Sequence, residues 1–345
     1  MARTLSCRAE IFPLSTPFRI SRGTKMAAEV VTVEIAQDGL VGRGECVPYP
    51  RYGETIEATI GAIDAAHHAI EGGLNRAELL DLMPAGAARN AIDCALWDLE
   101  ARLAGTDVIT MLGLKREPQP IATAMTVSLD TPDNMARAAA ALADVPLIKV
   151  KVDRSNPAAQ LRAVREAAPR PRMIVDPNES WTIVDVNVLQ QLLMDLRVDL
   201  LEQPLPAGDD HALRGLTSAV PIAADESVHS VNDLAVLPDG YGVVNIKLDK
   251  TGGLTAAIDL AREARERGLG VMTGCMICSS LSIAPTLAIA GTSEFADLDG
   301  PTWLQRDREG GIFCEQGWLR APAPGFWGEA LSEEAAAQLR TLALQ

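Results

Sequence analysis

Aromatic and basic side chains are both scarce in this 345-residue chain. Phe, Trp and Tyr make up 4% of the residues, and 31 Lys and Arg face 46 Asp and Glu, which leaves a formal net charge of -15. An excess of acids repels phosphate backbones and anionic lipid headgroups. Few aromatic rings are available to stack on bases. The composition therefore predicts neither a nucleic-acid partner nor a membrane partner.

Histidine and cysteine are too sparse to frame a structure. The four histidines lack partners at metal-ligand spacing, and the six cysteines are scattered, with Cys275 and Cys278 as an isolated pair. A zinc site of this type needs a second pair, and small secreted domains concentrate their cysteines into a disulfide framework. The first residues also lack the apolar segment of a secretory signal. We therefore expect a cytoplasmic protein.

A long uncharged stretch, residues 268–293, is the one segment with the length to cross a bilayer. It contains several glycines and serines and Pro285. This composition favours a buried strand followed by a buried helix.

The length suggests about two domains. Residues 1–118 are predicted to form a small α+β domain, because a strand-like run at 28–35 is followed by helical patterns. In residues 90–103 apolar side chains recur at helical spacing, and Gly105 is suited to end that helix. Residues 119–317 have a more regular texture, and the irregular residues 318–345 are predicted to pack back on the first domain.

Strand-like and helical segments alternate through residues 119–317. Such alternation implies a parallel sheet, and eight repeats favour closure into a (β/α)8-type barrel of the α/β class. The first strand is not followed by G-x-G-x-x-G, which weakens the dinucleotide-binding alternative. The eight strand-like runs are 123–127, 147–152, 172–176, 199–203, 221–225, 243–247, 270–274 and 295–299.

Five consecutive strands end in an ionisable residue, at intervals of 22 to 26 residues: Lys151, Asp176, Glu202, Asp225 and Lys247. Active sites of such barrels lie at the carboxyl ends of the strands, so these side chains should converge. The three carboxylates would repel one another unless a cation neutralises them. All-oxygen ligation favours Mg²⁺, with Mn²⁺ as a second choice. The alternative is pairing with neighbouring Lys or Arg.

Lys151 and Lys247 belong to the second and sixth strands, so they should face each other across the barrel mouth. That geometry suits proton removal from one face of a carbon and delivery to the other, with the cation stabilising an enediolate. A neighbouring Lys149 and a divalent ion should lower the pKa of the basic lysine. Lys149 lies on the same strand face and is expected to bind a substrate carboxylate oxygen. A Schiff-base aldolase is the alternative, but it leaves the three carboxylates unexplained.

These residues lie in motifs that resemble the muconate-lactonising-like subgroup of the enolase superfamily. The motifs are Lys149-Val-Lys151, Asp176-Pro-Asn178, Glu202-Gln203-Pro, Asp225-Glu226-Ser and Asn245-Ile-Lys247 through Gly252-Gly253. The resemblance covers essentially the whole chain. It implies a modified TIM barrel, (β/α)7β, with an N-terminal α+β capping domain. It also implies metal ligands at Asp176, Glu202 and Asp225 and acid/base lysines at Lys151 and Lys247.

The eighth strand carries Asp297 and Asp299, whose side chains point to the same side. Because this strand lies opposite the fourth, we expect the two carboxylates far from the metal, where they suit the ammonium group of a dipeptide. The alternative is that they bind an arginine at the barrel end. The Asp-x-Asp motif resembles that of dipeptide epimerases, and residues 274–278 and 48–54 resemble epimerases of L-Ala-D/L-Glu. Thr126 on the first strand is expected to assist.

A basic loop at residues 17–25 is a candidate lid. Its resemblance to similar epimerases implies that Arg22 meets the substrate side chain, with Arg19 and Lys25 as further candidates. The resulting hypothesis is an isomerase, a Mg²⁺-dependent dipeptide epimerase of L-Ala-D/L-Glu from cell-wall peptide recycling. Its subgroup also contains o-succinylbenzoate synthases, N-acylamino acid racemases and cycloisomerases, and a non-catalytic metal and carboxylate binder is a further alternative. The protein could also form a homo-oligomer, since barrels of this family often assemble.

Overall fold

The N-terminal part of the chain forms a three-stranded antiparallel sheet, seen in a computed structural model that describes residues 3–114 and 120–329. The strands follow one another in space as in sequence: β1 (Thr4–Ile20), β2 (Gly23–Gln37) and β3 (Leu40–Cys46). Only Ser21 and Arg22 separate β1 from β2, so Arg22 lies at the tip of a tight hairpin. Buried Val31, Val33 and Ile35 give β2 an apolar face.

Helices α1 (Ile56–Glu71), α2 (Arg76–Leu82) and α3 (Ala87–Ala104) cover this apolar face, and the short helix α4 (Val108–Met111) follows α3. A Cβ at Gly42 or Gly44 would collide with the backbone of α3, so these glycines of β3 allow the close contact. The helix predicted over 90–103 is confirmed, and Gly105 ends it with φ 64°. We call residues 3–114 the cap.

The parallel sheet has eight strands in sequence order, as predicted. The strands after β4 (Ile121–Ala122) are β5 (Ala124–Val127), β6 (Leu147–Lys151), β7 (Arg172–Asp176), β8 (Leu200–Glu202), β9 (Ile222–Ala224), β10 (Val243–Ile246), β11 (Gly270–Gly274) and β12 (Phe295–Asp297). Within the described residues no ladder joins β12 to β5. Two hydrogen bonds close this seam, from Leu298 N to Thr123 Oγ1 and from Thr126 N to Asp299 Oδ2, each 2.8 Å.

The connections between strands are mostly helical. They include α5 (Pro132–Ala140), α6 (Pro157–Ala167), α7 (Ile183–Asp195), α8 (Leu248–Thr251), α9 (Leu254–Glu266) and α10 (Ser280–Ala290). After β8 and β9 the chain instead forms short 3₁₀ turns, Asp210–Leu213 and Val231–Ala235. Pro206 and Gly208 in the first connection, and Pro238 and Gly240 in the second, oppose a regular helix.

The uncharged stretch at 268–293 contains β11 and α10, so the predicted buried strand and buried helix are confirmed. No helix among the described residues has the length and apolar character needed to cross a membrane.

Residues beyond the barrel return to the cap. Strands β13 (Phe313–Glu315) and β14 (Trp318–Arg320) form a small antiparallel sheet with β4. Farther along, Trp327 Nε1 donates to Arg43 O at 2.9 Å. The predicted boundary between 118 and 119 and residues 330–345 lie outside the described residues. The division into 1–118, 119–317 and 318–345 therefore stays a prediction.

Candidate active site

The barrel interior is built in layers, each receiving one residue from every strand. Its lower layer is apolar and buried: Ala124, Leu147, Ile174, Leu200, Ala223, Val243, Met272 and Phe295. Because strand side chains alternate, the residue two positions later points to the same side. That rule gives an upper layer of Thr126, Lys149, Asp176, Glu202, Asp225, Asn245, Gly274 and Asp297. Of the residues predicted for the site, six lie in this layer. Lys151, Lys247 and Asp299 each follow a residue of the layer by two positions in the chain, Lys151 as the last residue of β6 and the other two just after β10 and β12.

Lysine ammonium groups lie directly against the carboxylates. Lys151 Nζ is 2.6 Å from Asp176 Oδ2, and Lys247 Nζ is 2.6 Å from Asp225 Oδ2. Lys149 Nζ contacts three carboxylates at once, with distances of 3.1 Å to Asp176 Oδ2, 2.7 Å to Glu202 Oε2 and 2.7 Å to Asp297 Oδ2.

The expectation that the carboxylates of the eighth strand lie far from the metal ligands is wrong for Asp297. Glu202 and Asp297 share the ammonium of Lys149, although they come from the fourth and eighth strands. The order of the strands shows only that the fourth and eighth strands lie on opposite sides of the barrel. Because the interior is narrow, the Lys149 side chain and the two carboxylates, which all point inward, meet at its centre.

Burial and mutual repulsion separate the pKa values of the carboxylates. Burial, reinforced by the Asp176 charge, raises the pKa of Glu202 to about 7. Burial opposes ionisation of Asp176 as well, but Lys151 and Lys149 lower its pKa to about 2. For Lys247, burial and the Lys149 charge lower the pKa in the expected direction, but the Asp225 carboxylate outweighs both and holds the pKa above its ordinary value.

The three carboxylates fit a hard divalent cation by their donor chemistry. Asp176, Glu202 and Asp225 are buried on adjacent strands and offer only oxygen donors. In the described residues, no three His, Cys, Asp or Glu side chains converge as metal ligands, and the lysine ammonium groups lie against these carboxylates instead. Burial and, next, the Asp176 charge raise the pKa of Glu202, and a divalent cation would favour the ionised carboxylate against both.

The two carboxylates of the eighth strand have different partners. Asp297 Oδ1 is buried and lacks a hydrogen-bond partner among the described residues. Asp299 Oδ2 accepts hydrogen bonds from Thr126 N at 2.8 Å and Trp303 Nε1 at 3.2 Å. Burial, with the neighbouring Asp297 charge, raises the pKa of Asp299 to about 6. Among the described residues no arginine contacts either carboxylate: Lys149 pairs with Asp297, and a backbone amide and an indole donate to Asp299.

A cavity of about 470 Å³ lies above the upper layer, between barrel and cap. Lys149, Lys151, Lys247, Asp297 and Asp299 line it. Cap residues enclose its mouth, including Phe18, Ile20, Arg22, Lys25, Tyr49, Arg51 and Tyr52, and residues Cys275, Met276 and Ile277 form part of its wall.

The three basic residues predicted for the lid have different surroundings. Arg22 lines the cavity and contacts Asn178 O, Glu179, Glu226 and the Tyr49 hydroxyl. Lys25 also lines the cavity, with its ammonium 5.0 Å from the centre of the Tyr49 ring. Arg19 pairs with Asp130 at 2.9 Å and is not among the cavity residues.

Three residues of the quoted motifs, which were given no role from the sequence, also support the site. Lys250 Nζ is 2.7 Å from Asp225 Oδ1, and Asn245 Nδ2 donates to Glu202 Oε1 at 2.9 Å. Asn178 N donates to Asp176 Oδ1 at 2.8 Å. Asn245 lies on β10 two positions after the inward-facing Val243, so the strand alternation carried a signal for it. Asn178 follows the end of β7 and Lys250 lies in α8, where this alternation gives no guidance.

Two family models match this chain. Residues 2–113 match the model of the mandelate racemase / muconate lactonizing enzyme N-terminal domain, and residues 134–332 match the enolase C-terminal domain-like model. The chain belongs to the enolase superfamily.

Within this superfamily, the chain is similar to enzymes that act on amino acid derivatives. An L-Ala-D/L-Glu epimerase from Escherichia coli is 48% identical over 309 residues, which covers 89% of this chain and 96% of that protein. An N-acetyl-D-glutamate racemase from Pseudoalteromonas sp. is 42% identical, over 88% of this chain and 97% of that protein.

A solved structure of an enolase family member from Agrobacterium tumefaciens, with homology to dipeptide epimerases, matches with a TM-score of 0.92 at 47% identity. The match covers 94% of this chain and all of that chain, and the structure contains sodium and L-Ala-L-Glu.

Proposed function

We propose that this enolase superfamily member is a Mg²⁺-dependent dipeptide epimerase that inverts the α-carbon of the C-terminal residue, with L-Ala-D/L-Glu as its substrate pair. The main support is that Lys151 and Lys247, which come from the second and sixth of the eight strands, line the same cavity. These strands lie on opposite sides of the barrel. A substrate carbon held between them therefore has an amine on each face, as a two-base proton transfer requires.

Asp176, Glu202 and Asp225 would hold the cation. Enolase superfamily sites combine Mg²⁺ with a basic residue, and the cation supplies electrostatic stabilisation of the charge that develops on the substrate carboxylate. The support in this chain is the buried all-oxygen donor set on three adjacent strands.

Lys151 and Lys247 exchange roles between the two epimers. The neutral lysine removes the α-proton from one face, and the charged lysine donates a proton to the other. Their contacts with Asp176 and Asp225 orient the two side chains toward the cavity. Lys149 binds a substrate carboxylate oxygen in exchange for one of its three carboxylate partners. The Lys149 ammonium has three N–H donors, so after this exchange all three donors still have an acceptor.

Asp297 binds the dipeptide ammonium group. Its buried Oδ1 has no hydrogen-bond partner among the described residues, and an unpaired buried carboxylate oxygen is costly. A substrate ammonium supplies both the missing donor and a positive charge. Asp299 adds negative charge beside it, and Thr126 fixes Asp299 through its backbone amide.

Arg22 faces the side chain of the residue that is epimerised. It reaches the cavity mouth from the cap hairpin, whereas the metal ligands and lysines come from the barrel. The positive charge of a guanidinium group is suited to a glutamate carboxylate. The substrate carboxylate would share donors that Arg22 now gives to Asn178 O, Glu179, Glu226 and the Tyr49 hydroxyl. In this assignment the cap selects the side chain and the barrel performs the proton transfer.

An N-acylamino acid racemase is the second candidate, favoured by the 42% identity to an N-acetyl-D-glutamate racemase. Its neutral acyl group would leave Asp297 Oδ1 without a cationic partner, so the geometry supports a dipeptide better. An o-succinylbenzoate synthase or cycloisomerase would carry out other chemistry on the same residues. A non-catalytic binder would need neither lysine.

Proton exchange in D2O tests the proposal. Purified protein with Mg²⁺ is incubated with L-Ala-L-Glu or N-acetyl-L-Glu, and the α-proton signal of glutamate is followed by NMR. We expect deuterium incorporation and the second epimer for the dipeptide, with much slower exchange for the N-acetyl compound. Faster exchange of N-acetyl-L-Glu would favour the racemase. An absence of exchange across a dipeptide panel would reject both, and loss of water from a succinylbenzoate precursor would indicate the synthase.

We further propose that the enzyme acts in the cytoplasm on dipeptides from cell-wall peptide recycling. We also propose that it forms a homo-oligomer, which light scattering would measure. The six cysteines are free, which suits a reducing compartment. Deletion of the gene should cause L-Ala-D-Glu to accumulate in cytoplasmic extracts. Unchanged dipeptide levels in those extracts would argue against this role.

A further inference from the structure

Two arginines of the cap meet on one carboxylate of the barrel, Glu179. Arg22 Nη1 lies 2.9 Å from Glu179 Oε2. Arg51, from the 3₁₀ turn Pro50–Tyr52, contacts both oxygens, with distances of 2.8 Å from Nε to Oε2 and 2.7 Å from Nη2 to Oε1. Two separate loops of the cap are therefore tied to the barrel at a single side chain.

The barrel holds Glu179 in a defined position. Its backbone N donates to Gln203 O at 2.9 Å, and its Oε1 accepts a hydrogen bond from Ala207 N at 2.8 Å. Its φ of 66° is in the left-handed region, which is uncommon for a side chain of this size. Such a conformation persists where the surroundings impose it. The carboxylate is thus a fixed acceptor for the two arginines.

Glu179 remains ionised in this position. Burial alone would raise its pKa, but the hydrogen bond from Arg51, the Ala207 amide and the Arg22 charge outweigh burial, so the pKa is lowered. Only 7% of its side chain is exposed, compared with 26% for Arg22 and 39% for Arg51. Charge-assisted hydrogen bonds in such a partly buried setting are stronger than those on an open surface.

We infer that Glu179 is a positioning residue that holds Arg22 at the cavity mouth and thereby sets the preference for substrates with an acidic side chain. This inference rests on the proposed function. Arg22 is long, and it lies at the tip of a hairpin. Without Glu179, Arg22 keeps its contacts with Glu226 and Asn178 O but loses one of its two ionic contacts with the barrel, and Arg51 loses both of its contacts there.

A purely electrostatic role for Glu179 predicts the opposite result. A carboxylate beside Arg22 repels an acidic substrate side chain, so its removal would strengthen binding of that substrate. Positioning instead predicts weaker binding of the acidic substrate after removal. The sign of the change therefore separates the two roles.

The test compares L-Ala-L-Glu with its neutral isostere L-Ala-L-Gln in the wild type and in Glu179→Gln. We expect the ratio of kcat/KM values, acidic over neutral, to fall about tenfold, since charge-assisted contacts of this size are lost. The loss should appear in KM for L-Ala-L-Glu more than in kcat. Glu179→Asp, which retains the charge on a shorter side chain, should recover part of the ratio.

Two further variants complete the experiment. Glu100→Gln is the matched control, because Glu100 pairs with Arg76 at 2.8 Å within the cap and does not line the cavity. Arg51→Met removes one cap anchor without altering Glu179, and it should lower the ratio about threefold. It serves as the test if Glu179→Gln does not fold.

An unchanged or increased ratio in Glu179→Gln, or in Arg51→Met when the first variant does not fold, would overturn the inference. If the wild type exchanges the α-proton of neither dipeptide, the proposed function fails instead. The two failures are therefore distinguishable.

Discussion

Glu202 and Asp297, from the fourth and eighth strands of the barrel, are bridged by one ammonium group. Lys149 Nζ lies 2.7 Å from an oxygen of each. The proposed metal site and the proposed site for the substrate ammonium are therefore adjacent and share the buried ammonium of Lys149. Loss of the Lys149 charge should affect both sites.

Substitution of Lys149 by methionine should make stability depend more strongly on Mg²⁺ than it does in the wild type. The substitution removes the ammonium between Asp176, Glu202 and Asp297 and leaves their buried negative charges without it. We expect a loss of about 3 to 5 kcal/mol in the free energy of unfolding without metal. Mg²⁺ should restore much of this loss, because it binds the folded state.

Urea unfolding in EDTA and in Mg²⁺ measures both effects, with Lys25→Met as a control at the cavity mouth. Equal stability of Lys149→Met in the two buffers would contradict the shared role of Lys149.

Replacement of Asp297 by asparagine should weaken dipeptide binding specifically. It removes the charge that faces the substrate ammonium while preserving the side-chain size. We expect kcat/KM for L-Ala-L-Glu to fall about 10- to 100-fold, the range for loss of a charge-assisted contact. Steady-state epimerisation assays measure this change.

The matched control for this prediction is Asp130→Asn, since Asp130 pairs with Arg19 away from the cavity. Wild-type kcat/KM in Asp297→Asn would exclude Asp297 from ammonium recognition.

An alanine at Gly274 should disturb Lys247. A Cβ there would lie 2.6 Å from Asn245 Oδ1 and 3.1 Å from Lys247 Cε. The neighbouring side chains must move, at a cost of about 1 to 3 kcal/mol in stability. We expect lower kcat because Lys247 is displaced from the reacting carbon.

Thermal unfolding and kcat measurements check both parts. Gly242→Ala provides the control, since a Cβ at Gly242 meets nothing within 4 Å. If Gly274→Ala had the same thermal stability and kcat as Gly242→Ala, the close packing around Lys247 would not contribute to stability or catalysis.

The periodicity of the sequence was enough to predict the barrel and much of its site. Side chains two residues apart share a strand face, so the sequence alone predicts that Lys149 lies beside Lys151 and that Asp297 lies beside Asp299. The contact between Lys149 and Asp297 could not be predicted, because it depends on the width of the barrel interior and on the length of both side chains. The 3₁₀ turns after β8 and β9 had a signal in their prolines and glycines.

The cap contacts were harder to predict. Arg22 was one of three basic candidates in a single loop, and its partners Glu179 and Glu226 lie more than 150 residues away along the chain. Only the docking of the cap hairpin on the barrel selects Arg22 over Arg19. Sequence periodicity describes faces within an element, whereas this choice depends on how two parts of the chain meet.

Stability should fall as pH rises through the titration of Asp93. This carboxylate of α3 accepts hydrogen bonds from Thr255 N at 2.9 Å and Thr255 Oγ1 at 2.6 Å, which joins the cap to the start of α9. Burial raises its pKa from 3.8 to about 6. The folded state therefore binds this proton more tightly than the unfolded chain, and the stabilisation is lost between about pH 4 and pH 6.

The stability difference between wild type and Asp93→Asn should thus become less favourable to the wild type between pH 4.5 and pH 7. Urea unfolding at the two pH values measures it. A constant difference would show that Asp93 does not titrate in this window.

The most direct test of the two-base account follows each lysine separately. Lys151→Met and Lys247→Met, each with Mg²⁺, are incubated in D2O with L-Ala-L-Glu and with L-Ala-D-Glu, and α-proton exchange is followed by NMR. The account predicts that neither variant epimerises, that each exchanges only one of the two epimers, and that the two variants retain opposite ones. Exchange of the same epimer by both variants, or epimerisation by either, would contradict it.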